Sequence, residues 1–355
     1  MEAKMVSLWH KLLVFQKRSI NIDKKTNTHR KNIIIFILLA ALTIGTSFLY
    51  IFSRTYAKAW RIGVAMSPIA FESILARTLP HLYGMIASAI MLALLSVVFQ
   101  TITQSRVLTP SMIGFDSVFV GTQTVLVFMF GTSHILFANP YVNYTVTASI
   151  MIIISMAMFG FILRSSRNNL VFLLMFGIIL SGVIGSGTRY LQIIMNESDF
   201  IQVAAATSVN INNMNVNIIN MAIPLMAIVA ILIFWSHKKY NVMSLGPDHA
   251  KGLGIDYEKE ITKNLIIISI GMSITTALIG SLTFLGLLAV NAAREIFKTH
   301  KHITIFIGSS IMAAFAIVLG QSIMELLEGA VPVTAIIDFV GSAYIFYLIL
   351  KGNKI

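Results

Sequence analysis

The sequence predicts an all-α polytopic membrane bundle of about ten transmembrane helices with both termini cytoplasmic, and three observations predict it. First, 57% of the 355 residues are hydrophobic and only 11% are charged, whereas a soluble domain carries roughly 25% charged residues to hydrate its surface. Second, apolar runs near the about 20 residues needed to cross a bilayer recur along the whole chain. Third, the basic residues gather in alternate connections between those runs, the pattern that sets membrane orientation. The net charge of +12 does not point to nucleic acid, because it is dispersed between apolar runs instead of forming a basic stripe. The absence of cysteine excludes disulfides, thiolate metal sites and cysteine catalysis.

Residues 1–32 read as a basic cytoplasmic tail holding eight Lys/Arg. The run from Ile33 to Phe52 is too long for a cleavable signal and reads as the first span of a transmembrane domain over 33–355. The tail is read as an orientation signal; the other reading of such a cluster is contact with anionic membrane lipid. Further spans are expected at 79–102, 113–131, 145–163, 170–187, 216–235, 264–282, 283–297, 303–324 and 331–350. Between the seventh and eighth, only Gly280-Ser281-Leu282-Thr283 breaks the run, and a short span there would have to be a broken or partial helix, tolerated only where protein covers the backbone. With both ends inside, the inner segments hold 21 of the 26 Lys/Arg. The outer ones hold Arg54, Lys58, Arg61, Arg77 and Arg189.

Two acids fall inside spans, Asp116 and Asp338. Intramembrane carboxylates are costly and are functional candidates by default. One reading makes the chain an ion-coupled secondary transporter that uses them; the other makes them interhelical packing contacts. Small residues such as Gly84, Ala87 and Ser88 on the second span, and Gly177, Gly182 and Gly185 on the fifth, suit close helix approach. The outer loop 188–215 is expected to hold a short interfacial helix and an Asn-rich connector including Asn210 and Asn213.

The inner loop 236–263 is the most informative stretch. Pro247 and Asp248 suit the first turn of a helix, and Gly252 and Gly254 suit its end. About two turns of helix cannot persist alone, so this segment must dock on something. The chain lacks a G-x-x-x-x-G-K-[ST] phosphate loop, a His-Glu-x-x-His metal motif and a G-x-S-x-G elbow, and its eight histidines are scattered. No catalysis, metal site or cofactor is expected.

The segment Leu245-Gly246 … Ala250 … Leu253-Gly254 resembles the L-G-x-x-x-A-x-x-L-G coupling segment of FecCD-type permeases. Those proteins import iron–siderophores, haem and cobalamin, and their short helix docks into a cleft of an ATPase subunit. Further matches follow in family order. Arg77-Thr-Leu-Pro80-His81 resembles R-L-P-R; Gln100, Pro110 and Gly114 resemble the Q … N-P-L-A-x-P-x-x-L-G stretch. Phe284-Leu-Gly286 through Asn291 and Arg294 resembles F-x-G-L-x-x-P-H-x-x-R, and Pro332 with Gly341 resembles the closing L-P-x-G … G-x-P motif. Val290-Asn291 in place of Pro-His looks like the branch that handles catecholate-type siderophores. The resemblance implies cytoplasmic ATPase subunits acting through 243–255, a second permease copy or paralogue, and an extracytoplasmic siderophore-binding lipoprotein. Arg77, His81 and Glu325 are the implied docking positions for that lipoprotein, in a bacterial cytoplasmic membrane.

Overall fold

A computed structural model describes residues 31–57, 68–165, 170–209, 211, 214–327 and 330–352. Most of the basic tail, Lys58, Arg61, Asn210 and Asn213 therefore lie outside the described residues. Every regular element described is helical. In chain order the principal helices are α1 (Lys31–Thr55), α2 (Pro68–Thr103), α3 (Phe115–Phe130), α4 (Pro140–Ser165), α5 (Leu170–Ile194), α6 (Glu197–Thr207) and α7 (Val216–Trp235). They continue with α8 (His237–Met243), α9 (Pro247–Gly252), α10 (Tyr257–Ile279), α11 (Leu285–Phe297), α12 (His302–Leu326) and α13 (Val333–Gly352). Among the described residues, six helices are long and apolar enough to cross a membrane, and the apolar Phe115–Phe130 and Val333–Tyr344 are shorter.

The bundle is organised around α2, which packs against α7, α10, α11 and α12. Its middle runs through Met85, Leu94, Leu95, Val98 and Phe99, all with essentially no exposed surface. Small residues allow this: a Cβ on Gly84 would lie 3.0 Å from Ile219 of α7, and one on Gly271 of α10 would lie 2.9 Å from Leu95. Hydroxyls on the helices are mostly spent on their own backbone, as with Ser88 on Gly84 and Thr275 on Gly271. That satisfies the polar group where lipid offers no partner. α1 is peripheral, held by Phe36 stacked on Phe297 with ring centroids 4.3 Å apart and by buried Tyr50 near its other end.

The doubtful seventh and eighth spans resolve unequally. At about 1.5 Å per residue, the 23 residues of α10 span about 35 Å, enough to cross, whereas the 13 of α11 reach only about 20 Å. Between them the chain leaves the helix at Gly280, whose φ is +89°. A Cβ there would also press on Val209 at 3.2 Å, so the break has room only for glycine. The partial helix is tolerated because protein covers it: Leu285, Leu287, Ala289, Val290 and Ala293 are fully buried. The expected short helix of the outer loop is α6, with Glu197 and Asp199 in its first turn, where they complement the helix dipole.

Candidate functional sites

Three regions of the fold carry candidate residues. On the face expected to be cytoplasmic, α8 and α9 form a bracket around 243–255. α8 is pinned to the bundle by Tyr240 and Met243, both fully buried. Tyr240 donates to Asn264 Oδ1 of α10 at 2.6 Å, and Gln104 donates to the Met243 carbonyl at 2.9 Å. Lys239 pairs with Glu260. The chain then turns at Gly246, with φ +98°, a conformation that favours glycine. Six residues of α9 follow, with Asp248 in the first turn and His249 and Lys251 in the last.

Ala250 is the one buried residue of α9; its carbonyl accepts from Ile255 at 3.0 Å, closing the exit turn through Gly254, with φ +82°. Asp256 then caps α10 by accepting from the Lys259 N–H at 3.2 Å, and its carboxylate also pairs with the Lys259 ammonium at 2.8 Å. That ammonium, with the Lys259 N–H second, holds the Asp256 carboxyl below the usual carboxylate range. The segment is thus anchored on both sides, while Leu245 and Leu253 stand 56% and 64% exposed. Two large apolar side chains held out of a polar loop form a surface ready for a partner.

The family-motif residues, some beside this bracket and others farther along the bundle, fix backbone or leave room for it. Gln100 and Asn291 both donate to the Arg106 carbonyl, at 3.0 and 2.8 Å, tying the end of α2 and the middle of α11 to one connection. Arg294 lies one turn beyond Asn291, half-buried, with its Nε enclosed and unpartnered. Pro110 begins a 3-10 turn that Gly114 ends at φ +116°. Gly177 of α5 receives that turn, since a Cβ there would sit 2.2 Å from Ile113. Gly286 faces Ser96 and the Leu92 carbonyl of α2, where a Cβ would be at 2.1 and 3.1 Å. Pro332 immediately precedes α13, its carbonyl accepting from Ile336 at 3.4 Å.

At the opposite end, the implied docking residues separate. Arg77 is exposed. His81 is 6% exposed and hydrogen-bonds the Met214 carbonyl at 2.9 Å. Glu325 is 7% exposed and acts electrostatically on Tyr50 of α1, whose hydroxyl accepts from Arg54 at 2.6 Å. His81 and Glu325 face inward, bracing helices.

Inside the bundle, Asp116 and Asp338 converge on the α10–α11 break. Thr283 donates to Asp116 Oδ2 at 2.7 Å, and Ser281 also adjoins that carboxylate. Asp338 lies against the Phe284 N–H at the head of α11. Gly341 makes this approach possible, since a Cβ there would stand 2.6 Å from Phe284 Cβ. Residue types alone flagged the acids and the break separately. Thr283 was read only as part of the break, and Gln104, Tyr240 and Asn264 went unremarked; polar side chains flanking a break or a docking loop were the available signal.

Comparison with known proteins agrees with this architecture. The model of the FecCD transport family matches residues 32–351. The chain is 34% identical over 282 residues to the petrobactin import system permease protein YclO of Bacillus subtilis, covering 78% of this chain and 90% of that one. It is 30% identical over 292 residues to the petrobactin import system permease protein FatC of Bacillus anthracis, covering 82% and 80%. An inward-facing structure described as of metal-chelate type among ABC transporters superposes with a TM-score of 0.74 at 18% identity, over 90% of this chain and 99% of that one. With a bundle of long apolar helices, an anchored bracket at 243–255 and a family match that runs nearly end to end, this chain belongs to the FecCD transport family and is a multi-pass membrane protein.

Proposed function

We propose that this chain is the permease subunit of an ATP-driven importer of iron–siderophore complexes in a bacterial cytoplasmic membrane. The observation that carries the proposal is the anchored bracket with Leu245 and Leu253 exposed at its rim. A force applied to α9 passes directly into α10 through Asp256 and into α2 through Gln104 and Met243. An ATPase subunit docking over α9 would cover both leucines, each worth about 1.5–3 kcal/mol when fully buried. Its nucleotide-driven closure would then tilt α2 and α10, the two most deeply buried of the long apolar helices. ATP closure, transmitted through 243–255, exchanges the gates by favouring one state over the other.

The cargo is a ferric siderophore of the catecholate type, a reading supported by Val290-Asn291 and by relatives named for petrobactin import. A second permease, a copy or a paralogue, covers the apolar faces that α5 and α13 leave open, where Ile179, Val183, Phe339 and Phe346 are 63%, 63%, 78% and 65% exposed. The substrate-binding lipoprotein meets Arg77, because His81 and Glu325 are withdrawn into the bundle. The ten-span topology with both termini inside completes the proposal. Uptake of radiolabelled iron by cells with and without the gene tests it, across catecholate, hydroxamate and haem sources. Loss of catecholate-borne uptake, restored by the native chain and not by Leu253→Asp, is the expected result. Unchanged uptake from every source in a strain without another importer would overturn the iron assignment.

A further inference from the structure

The junction of Asp116, Asp338 and the α10–α11 break is more than a packing contact. Among the described residues neither carboxylate enters an ion pair. The charged group acting on Asp116 is the other acid, Asp338, and the break itself contributes only the hydroxyls of Ser281 and Thr283. α5 approaches through Ser181, whose hydroxyl meets Ser117 at 2.7 Å and not the acid. Asp116 Oδ2 is satisfied by Thr283, yet Asp116 Oδ1 and Asp338 Oδ1 are both sealed from solvent with no hydrogen-bond partner. Buried polar atoms are satisfied in more than nine cases of ten, so two bare carboxylate oxygens at one junction call for an occupant.

The charge balance indicates its sign and size. Asp116 sits in the first turn of α3, and Asp338 lies at the head of α11. Each helix N-terminus supplies about half a positive charge. Two carboxylates against two such termini leave about one negative charge uncompensated. The α10 C-terminus presents carbonyl oxygens toward the same break, and unwound backbone at membrane depth is the setting in which carbonyls coordinate small cations. Donors here are oxygen only, and no third carboxylate or histidine joins them among the described residues, which argues against a multivalent metal.

We propose that this junction is a binding site for one monovalent cation, a proton or Na+, held between Asp116 Oδ1 and Asp338 Oδ1. The cation joins three separate elements of the fold: α3, α13 and the head of the half-helix α11. It binds only while all three are together, so it stabilises one arrangement of the bundle over another. The site is independent of which chelate is carried and of whether ATP drives transport, and it can hold or fail separately from that reading.

The test uses the purified full-length chain in detergent at constant ionic strength. Melting is followed with Na+ or choline as the cation, for the native protein, Asp116→Asn and Asp338→Asn. Native protein is also treated with a hydrophobic carbodiimide, which attacks protonated carboxyls, and the modified peptides are mapped; this arm requires no variant to fold. A rise in melting temperature specific to Na+, lost in both variants and accompanied by Na+ protection against the carbodiimide, identifies Na+. Labelling of Asp116 or Asp338 that declines as pH rises and ignores Na+ identifies a shared proton. Neither Na+ stabilisation nor labelling of either acid would overturn the proposal, leaving two ionised caps on a broken helix.

Discussion

At the scale of single residues, the family motifs of this chain act through space they leave empty or backbone they hold. Gly286 faces the α2 backbone, and overpacking at such crossings costs about 1–3 kcal/mol. Gly286→Val is expected to destabilise the purified protein by that amount in a thermal melt. Gly182→Val adds a side chain where nothing lies within 4 Å and should stay within about 0.5 kcal/mol of native. Equal effects of the two would contradict the packing reading. The spacing of small residues was legible in the sequence, but which of them face a partner was not. Gly84 and Gly177 do, and Gly182 does not, because that depends on which helix arrives alongside.

At the scale of elements, α9 has no stability of its own and borrows it from α8 and α10. Tyr240→Phe removes the donor to buried Asn264, and an orphaned buried acceptor costs about 1–3 kcal/mol. Hydrogen exchange across 244–255 should quicken in this variant, with α12 unaffected. The Asp256 cap gives a pH prediction whose sign follows from its cause. Because Lys259 holds the carboxyl below its usual value, the cap contributes above the unfolded value near about 3.9 and is lost only as pH falls through the lower folded value. Exchange protection of the first turn of α10 should therefore be constant between about pH 8 and pH 5 once intrinsic exchange rates are divided out. Asp256→Ala should lower it throughout. Protection that declines toward pH 5 in the native protein would contradict the cap. The Pro-Asp start and Gly stop of α9 were readable from residue types, since caps are local chemistry; its anchors, Gln104 and Asn264, are distant in sequence and were not.

At the scale of the whole molecule, the natural lack of cysteine makes single-cysteine variants clean reporters. Leu253→Cys should react with a membrane-impermeant maleimide only when the cytoplasmic face is open to the reagent. Labelling in intact cells would reverse the proposed orientation. Ile179→Cys on α5 should form a disulfide-linked permease dimer if that exposed face meets a second copy, and crosslinking confined to the paralogue would make the pair heteromeric.

What the sequence by itself determined are the properties that depend on neighbours along the chain. Composition settled the membrane class, run length located the long helices, though α2 begins at Pro68 and not at 79, and the glycine at position 280 marked the break, because hydropathy, helical rise and φ are local quantities. The tertiary structure decided the rest. It made the second of two adjoining spans a half-helix, since burial by α2 and α12 is what permits a partial span. It turned His81 and Glu325 inward. It also brought Asp116 and Asp338, read separately in the sequence, to the same break as Thr283, which is 167 residues from Asp116. No periodicity encodes that meeting, because it depends on which faces three separate helices present to one another once packed.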